Sequence, residues 1–350
     1  MKYAYVGCRT TKERNARGKG ISVYQVEENG KWTLIQIVKN LVNPSFLCMD
    51  KNGEYLYTIH GDKSEISSFS VDKATGQLIY INTVSTTGIN PVHLSVDKTN
   101  RWIFVANLQT GTVAVIPREA DGSLKPVKEL YTIPGREKGT VSHPHQVQQD
   151  RDGNYLIVSC QGRKQGFGQV DVFKINSENG TLDRTCIACS REIAEPRHFV
   201  FHQNHKWGYG VNEKDYSVTS YYFDEKEGIL EARQILPTLP ETYTGDGWAS
   251  GIDITEDGKY VIVSNRKHDS VTSFQVQENG FLRYCDSIKT GGKQPRYIIW
   301  DKDRKAVIAA NELTDTIVEI PLDEKTGRFS LPDKVVDTES PVCVIFNRIK

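Results

Sequence analysis

Apolar positions along this chain come in short runs rich in Tyr, Val, Ile and Phe, broken by polar turns, and helical periodicity is absent throughout. Such a pattern predicts β-strands from end to end. Tight-turn chemistry separates the runs, as in Asp50-Lys51-Asn52-Gly53 and Glu256-Asp257-Gly258. Later turns, Asp72 to Gly76 and Asp323 to Gly327, share the form D-x-x-T-G ahead of a further strand. An α/β reading has no room for its helices.

The runs are organised in repeats. Stretches beginning at Asn43, Asn90, His143, Glu195, Trp248 and Gln294 each contain a short strand, a polar turn, a second strand, a longer loop, a third strand and a turn before an outer strand. Prolines at positions 44, 91, 144, 196 and 295 open five of the six. The unit, about 50 residues, is the length of a four-stranded propeller blade. The N-terminal stretch has the same layout but lacks the proline-led first strand, and the segment from Ser340 to Phe346 supplies it. The expected fold is all-β: a seven-bladed β-propeller of four-stranded antiparallel blades, with the last blade shared between the N- and C-termini and residues 1–350 forming one domain. Sharing a blade pairs strand edges that would otherwise stay open. Ser340 to Phe346 should therefore pair with Tyr3 to Gly7.

Composition narrows the function classes. Lys plus Arg and Asp plus Glu both total 44, so no net field draws the chain to nucleic acid or anionic lipid. The start, MKYAYVGC, has no apolar signal region, and no later window approaches a membrane-spanning apolar run. The seven scattered cysteines suit free thiols in a reducing compartment, and the expected location is cytoplasmic. Only Cys186 and Cys189 form a CxxC, with no second pair or nearby histidine, and they are read as structural. Neither a metal nor another cofactor is expected.

Candidate chemistry follows from blade geometry. Strand direction alternates within a blade, so the start of the first strand and the loop from second to third strand lie on one face. Residues following the prolines, Ser45, Val92, His145, Arg197 and Arg296, should ring one mouth of the channel with loop residues that include His60, Asn107, Gln161, Asn212, Glu213, Asn265, Arg266, Asn311 and Glu312. The loop asparagines at 212, 265 and 311 suit backbone bonding. His145, Arg197, Glu213 and Arg266 are inner charged or titratable groups that need partners. They fit either a catalytic cluster or an internal salt-bridge network. His93 and His198, two residues past their prolines, are expected to face away by strand alternation. His202 and His205 should lie toward the opposite face, and Trp102, Trp207 and Trp300 should pack between blades.

The runs NPVHLSVD at 90–97, HPH at 143–145, PRH at 196–198, VNE at 211–213, SNRKHDSV at 264–271 and GGKQPR at 291–296 together resemble the lactonase family of seven-bladed propellers, which includes bacterial 6-phosphogluconolactonases and fungal 3-carboxymuconate lactonizing enzymes. The resemblance covers essentially the whole chain. It implies a catalytic histidine at His145, arginines at Arg197 and Arg266, and a glutamate at Glu213. The expected reaction is opening of a sugar lactone, 6-phospho-D-glucono-1,5-lactone, by base-assisted water attack, with a phosphorylated small molecule as partner. His145 would be the base, Glu213 would orient the water or share its proton, and Arg197 would face the oxyanion. Arg266, Asn107, Arg296 and His268 are candidate substrate contacts, with Lys267, Arg163 and Lys164 as weaker candidates for a phosphate. A carboxymuconate-type cycloisomerase and a non-catalytic binding propeller are the competing readings. The third-blade loop from Gly162 to Gly168 departs from the family in its length and two basic residues.

Overall fold

The structure, a computed structural model, describes residues 1–349. Its strands form seven four-stranded antiparallel sheets arranged as the blades of a closed propeller. The innermost strands are Pro44–Met49 in blade 1, Pro91–Val96 in blade 2, His143–Gln149 in blade 3, Pro196–Phe201 in blade 4, Trp248–Ile254 in blade 5, Pro295–Asp301 in blade 6 and Pro341–Arg348 in blade 7. Each contacts the next around the ring, including blade 6 with blade 7 and blade 7 with blade 1. The seam is the expected one: Pro341–Arg348 lies beside Lys2–Cys8, with Ala4 opposite Phe346 and Gly7 opposite Cys343.

Burial explains the apolar runs. A middle strand such as Trp102–Asn107 is buried at every position because neighbouring blades cover both faces of its sheet. An outermost strand such as Leu78–Ser85 exposes much of its length. The core is consequently divided among the blade interfaces. Phe104, Val113, Val158 and Phe173 fill the interface between blades 2 and 3, and Tyr5, Ile21, Leu56 and Phe69 fill the seam between blades 7 and 1. Each large side chain buried this way contributes roughly 1.5–3 kcal/mol, so stability is spread around the ring.

A repeated contact fixes the spacing between blades. In the outer turn of blade 1, Gly76 has φ +73, and a Cβ there would stand 2.4 Å from the Tyr3 ring of blade 7. The Tyr5 hydroxyl donates to the Gly76 carbonyl at 2.8 Å. Trp102 covers Gly180 and Trp207 covers Gly280 in the same way, which gives these tryptophans the expected packing role. Trp300 also packs in a blade interface.

One irregularity matters most for the mouth. The pairing of first and second strands slips between Pro44 and Phe46, Pro91 and His93, Pro144 and Gln146, Pro196 and His198, and Pro295 and Tyr297. The residue after each proline is an unpaired bulge residue. Blade 5 slips between Ala249 and Ile252, and blade 7 leaves out Val342. Bulges re-aim side chains at the rim of a sheet.

Candidate active site

The bulged ends converge on a narrow polar cavity of about 20 Å³ at one mouth of the channel, lined by Ser45, Val92, His145, Arg197, Arg296 and Val342, all bulge residues. The loops from second to third strand meet the same mouth because Pro196 pairs with Asn212 and Pro295 with Asn311, as the alternating strand directions require. His145, Arg197, Glu213 and Arg296 are thus brought together from blades 3, 4 and 6, and Arg266 joins them from blade 5.

Glu213 is the hub. Its Oε2 lies 2.8 Å from Arg197 Nε, and its Oε1 lies 3.1 Å from Arg266 Nη2. The Gln161 side-chain amide donates to Oε2 at 2.9 Å, and Arg163 in turn donates to Gln161 Oε1. Both inner arginines are anchored by backbone as well: Arg197 Nη1 donates to the Ser250 carbonyl at 2.7 Å, and Arg266 Nη2 to the Ala249 carbonyl at 3.0 Å. Burial pushes the Glu213 carboxyl up, but Arg266, Arg197 and Arg296 outweigh it and hold the group down at about 2. A carboxylate this acidic is an electrostatic clamp and a poor proton acceptor.

His145 is kept neutral by the same surroundings. Burial lowers its proton affinity well below the ordinary histidine value, and the positive Arg197, the neighbouring His198 and Arg296 lower it further. The ring is neutral at physiological pH, and its buried Nδ1 has no hydrogen-bond partner. A neutral imidazole with a free nitrogen beside a polar cavity can accept a proton.

The bulge overturns one expectation. His198 lines the same cavity as His145, their ring centroids 5.2 Å apart, and His93 lies 5.7 Å from His198 and 4.0 Å from Phe46. They do not face away. Simple alternation fails because the extra residue at each bulge resets the register, so the positions one and two past the proline both reach the channel. Burial and the nearby Arg197 lower His93 to about 3, so it too is neutral.

Other candidates lie outside the cavity. Asn107 is fully buried and its amide donates to the Thr86 carbonyl and the Thr112 hydroxyl, bracing its own loop. His268 hydrogen-bonds Ser270 and stacks on Tyr243, with ring centroids 4.3 Å apart. Lys267 pairs with Asp246. Arg163 and Lys164 line an adjoining open cleft of about 1100 Å³ with Glu213 and Trp248. Of the loop asparagines expected to bond backbone, Asn265 does so, donating to the Thr238 carbonyl, whereas Asn212 donates to the Ser217 and Thr219 hydroxyls and Asn311 donates to the Thr316 hydroxyl and accepts from Thr290. On the opposite face, His202 stacks on Trp207 and His205 Nδ1 lies 3.2 Å from Asp152. All seven cysteines are free.

Arg9 was not among the sequence candidates. It follows the second strand of blade 7 as Glu213 and Glu312 follow those of blades 4 and 6, where Arg266 ends that of blade 5, and its side chain lines the cavity. That register was available in the repeat, but the composite blade hid it.

A closed propeller carrying a buried histidine, a carboxylate clamped by arginines and a polar cavity at its bulged mouth defines the class of protein. A family model described as "Lactonase, 7-bladed beta-propeller" matches residues 3–346, and the chain belongs to that family. Among curated relatives, a 6-phosphogluconolactonase of Bacillus subtilis is 30% identical, with 89% of each chain covered. Another 6-phosphogluconolactonase, from Formosa agariphila, is 29% identical and covers 95% of this chain and 96% of its own. A solved periplasmic gluconolactonase of Pseudomonas aeruginosa superposes over the whole of both chains with a TM-score of 0.88 at 24% identity, a likeness of fold.

Proposed function

We propose that the chain hydrolyses a sugar lactone, 6-phospho-D-glucono-1,5-lactone, at the bulged mouth. The observation that carries this reading is a buried, neutral His145 lining, with Arg197 and Arg296, a cavity only large enough for about one water molecule. His145 takes a proton from water as its oxygen adds to the lactone carbonyl. Arg197 faces the oxyanion that develops, and such fixed charge contributes most where water is excluded. Collapse breaks the ring C–O bond, and the imidazolium returns the proton to the leaving oxygen. Glu213 holds Arg197 and Arg266 in place and stays ionised throughout.

A cytoplasmic location is supported by the seven free thiols. No helix among the described residues is long and apolar enough to cross a membrane. A small-molecule partner is supported by the size and polarity of the mouth and by the balance of basic and acidic residues.

The test is a coupled assay with freshly generated 6-phosphogluconolactone, corrected for spontaneous opening. Turnover by the native chain and its loss in His145→Gln support the reading. Turnover of carboxymuconate without any lactone opening would replace it with the cycloisomerase. Because His145 is neutral well below the usual histidine range, kcat/KM should show no acid limb near pH 6.5.

A further inference from the structure

The cavity has more positive charge than its own carboxylates can balance. Arg9, Arg197 and Arg296 line it and Arg266 stands beside it on Glu213, while the carboxylates at this mouth are Glu213 and Glu312, which leaves an excess of two positive charges. Glu213 is taken up by Arg197 and Arg266. Arg296 reaches Glu312 only at 3.8 Å, and its side chain, 21% exposed, is the most accessible of the four. Arg9 stands 3.5 Å from Asp62, but that carboxylate is held more closely by Arg14. The Arg9 Nη1 is buried and has no hydrogen-bond partner.

Room for this guanidinium is built into the neighbouring blade. A Cβ at Gly61 would lie 2.6 Å from Arg9 Nη1 and 2.8 Å from Ser45 Oγ, so only a residue without a side chain leaves the space. The other end of Arg9 is tied to the seam, where its backbone N–H donates to the Ser340 carbonyl at 3.1 Å. Burial, then the positive Arg296 and Arg14, draws Arg9 down to about 9, still protonated at neutral pH. A second positive group next to Arg296, buried and short of partners, is costly without a compensating anion.

From this geometry we infer that Arg9 and Arg296 form the seat of a dianionic phosphate monoester on the substrate, with Arg9 as a specificity-determining residue. A phosphate monoester carries between one and a half and two negative charges near pH 7, which matches the excess. The adjoining cleft offers no such match, since its Arg163, Lys164 and Lys214 are set against Glu192, Glu195, Asp215 and Glu213. Arg296, the most accessible of the four, makes the first contact, and Arg9 supplies the second positive charge behind it. The inference rests on the lactonase reading for its substrate but not for its anion.

Two measurements separate the two. Calorimetry of the native chain with 6-phosphogluconate and with gluconate tests the seat without any turnover: at least tenfold tighter binding of the phosphorylated acid is expected, and equal affinities overturn the inference. If no lactone is opened yet this preference is found, the hydrolytic reading fails and the seat stands. Kinetically, Arg9→Gln should reduce the preference of kcat/KM for phosphorylated over free gluconolactone at least tenfold, mainly through KM. Gly61→Ala, which keeps the charge but displaces the guanidinium, should reduce it in the same direction. An equal loss on both lactones would mark Arg9 as structural and refute the inference. Should Arg9→Gln fail to fold, Gly61→Ala and the native-chain calorimetry decide the matter.

Discussion

The two ends of the channel are built from the same innermost strands and have opposite chemistry. At the bulged end, Arg9, Arg197 and Arg296 line a cavity of about 20 Å³ together with a neutral His145, and Arg266 stands beside them on Glu213. At the far end, the strands finish in regular pairing around a space of about 620 Å³ lined by Phe46, His93, Gln149, Arg151 and Asp253 among others. The larger space is the poorer site. Its carboxylates and its arginine are already engaged: Asp150 accepts the N–H groups of Asn154 and Tyr155, Arg151 donates to the Phe201 carbonyl, and Asp253 accepts from Trp300 and Ile254. Volume does not locate the chemistry in this fold. Unbalanced charge and a broken strand register do.

The comparison breaks most sharply at His145. His145→Gln should lower lactone hydrolysis by a factor of about 10² or more, the range lost with a general base. Arg151→Ala at the far end should leave it within about twofold. If the two variants lose activity alike, the assignment of the working end is wrong.

Next in size is the clamp. Glu213→Gln leaves Arg197 and Arg266 buried without their counter-charge, a change worth roughly 3–5 kcal/mol of stability. The pH dependence has a definite sign. The folded-state value of Glu213, about 2, lies below its ordinary 4.5, so its contribution is complete above pH 4.5 and is lost as pH falls toward 2. Denaturant midpoints measured across this window should fall with acid in the native chain by an amount equivalent to about 3 kcal/mol from this group, and Glu213→Gln should lose that part of the slope.

Asp253 should do the reverse. Burial raises it from 3.8 to about 6, against the N–H groups of Trp300 and Ile254 and the positive Arg151, which oppose the rise. Stability linked to this group is therefore full below pH 3.8 and declines as pH rises to about 6, again by about 3 kcal/mol at most. Asp253→Asn should flatten that decline without altering the pH dependence of turnover, which keeps the two ends independent. Matching changes in activity would show that they are coupled.

Much of this was legible in the residues. The blade count followed from the recurrence of proline-led strands, and the shared seventh blade followed from the one strand missing at the start and present at the end. His145, Arg197, Glu213 and Arg266 were legible because strand alternation within a blade puts their two kinds of position on one face. His198 and His93 were misplaced because a bulge of one residue cannot be read from a run such as EPRHFVF, where every position is compatible with unbroken pairing. Asn107 and His268 satisfy the same loop rule as Glu213, yet their side chains find partners within their own blades.

By itself, then, the sequence determined the architecture, since a period of strands and turns admits one closed ring once the ends complement each other. It also determined which positions could reach the mouth. Only the tertiary structure decided which of them share a cavity, because the bulges that turn side chains inward, the pairing of Glu213 with two arginines, and the approach of Arg9 to Gly61 and Ser45 depend on contacts between blades far apart in the chain. Charge balance is a property of that gathered set, and no local stretch of residues contains it.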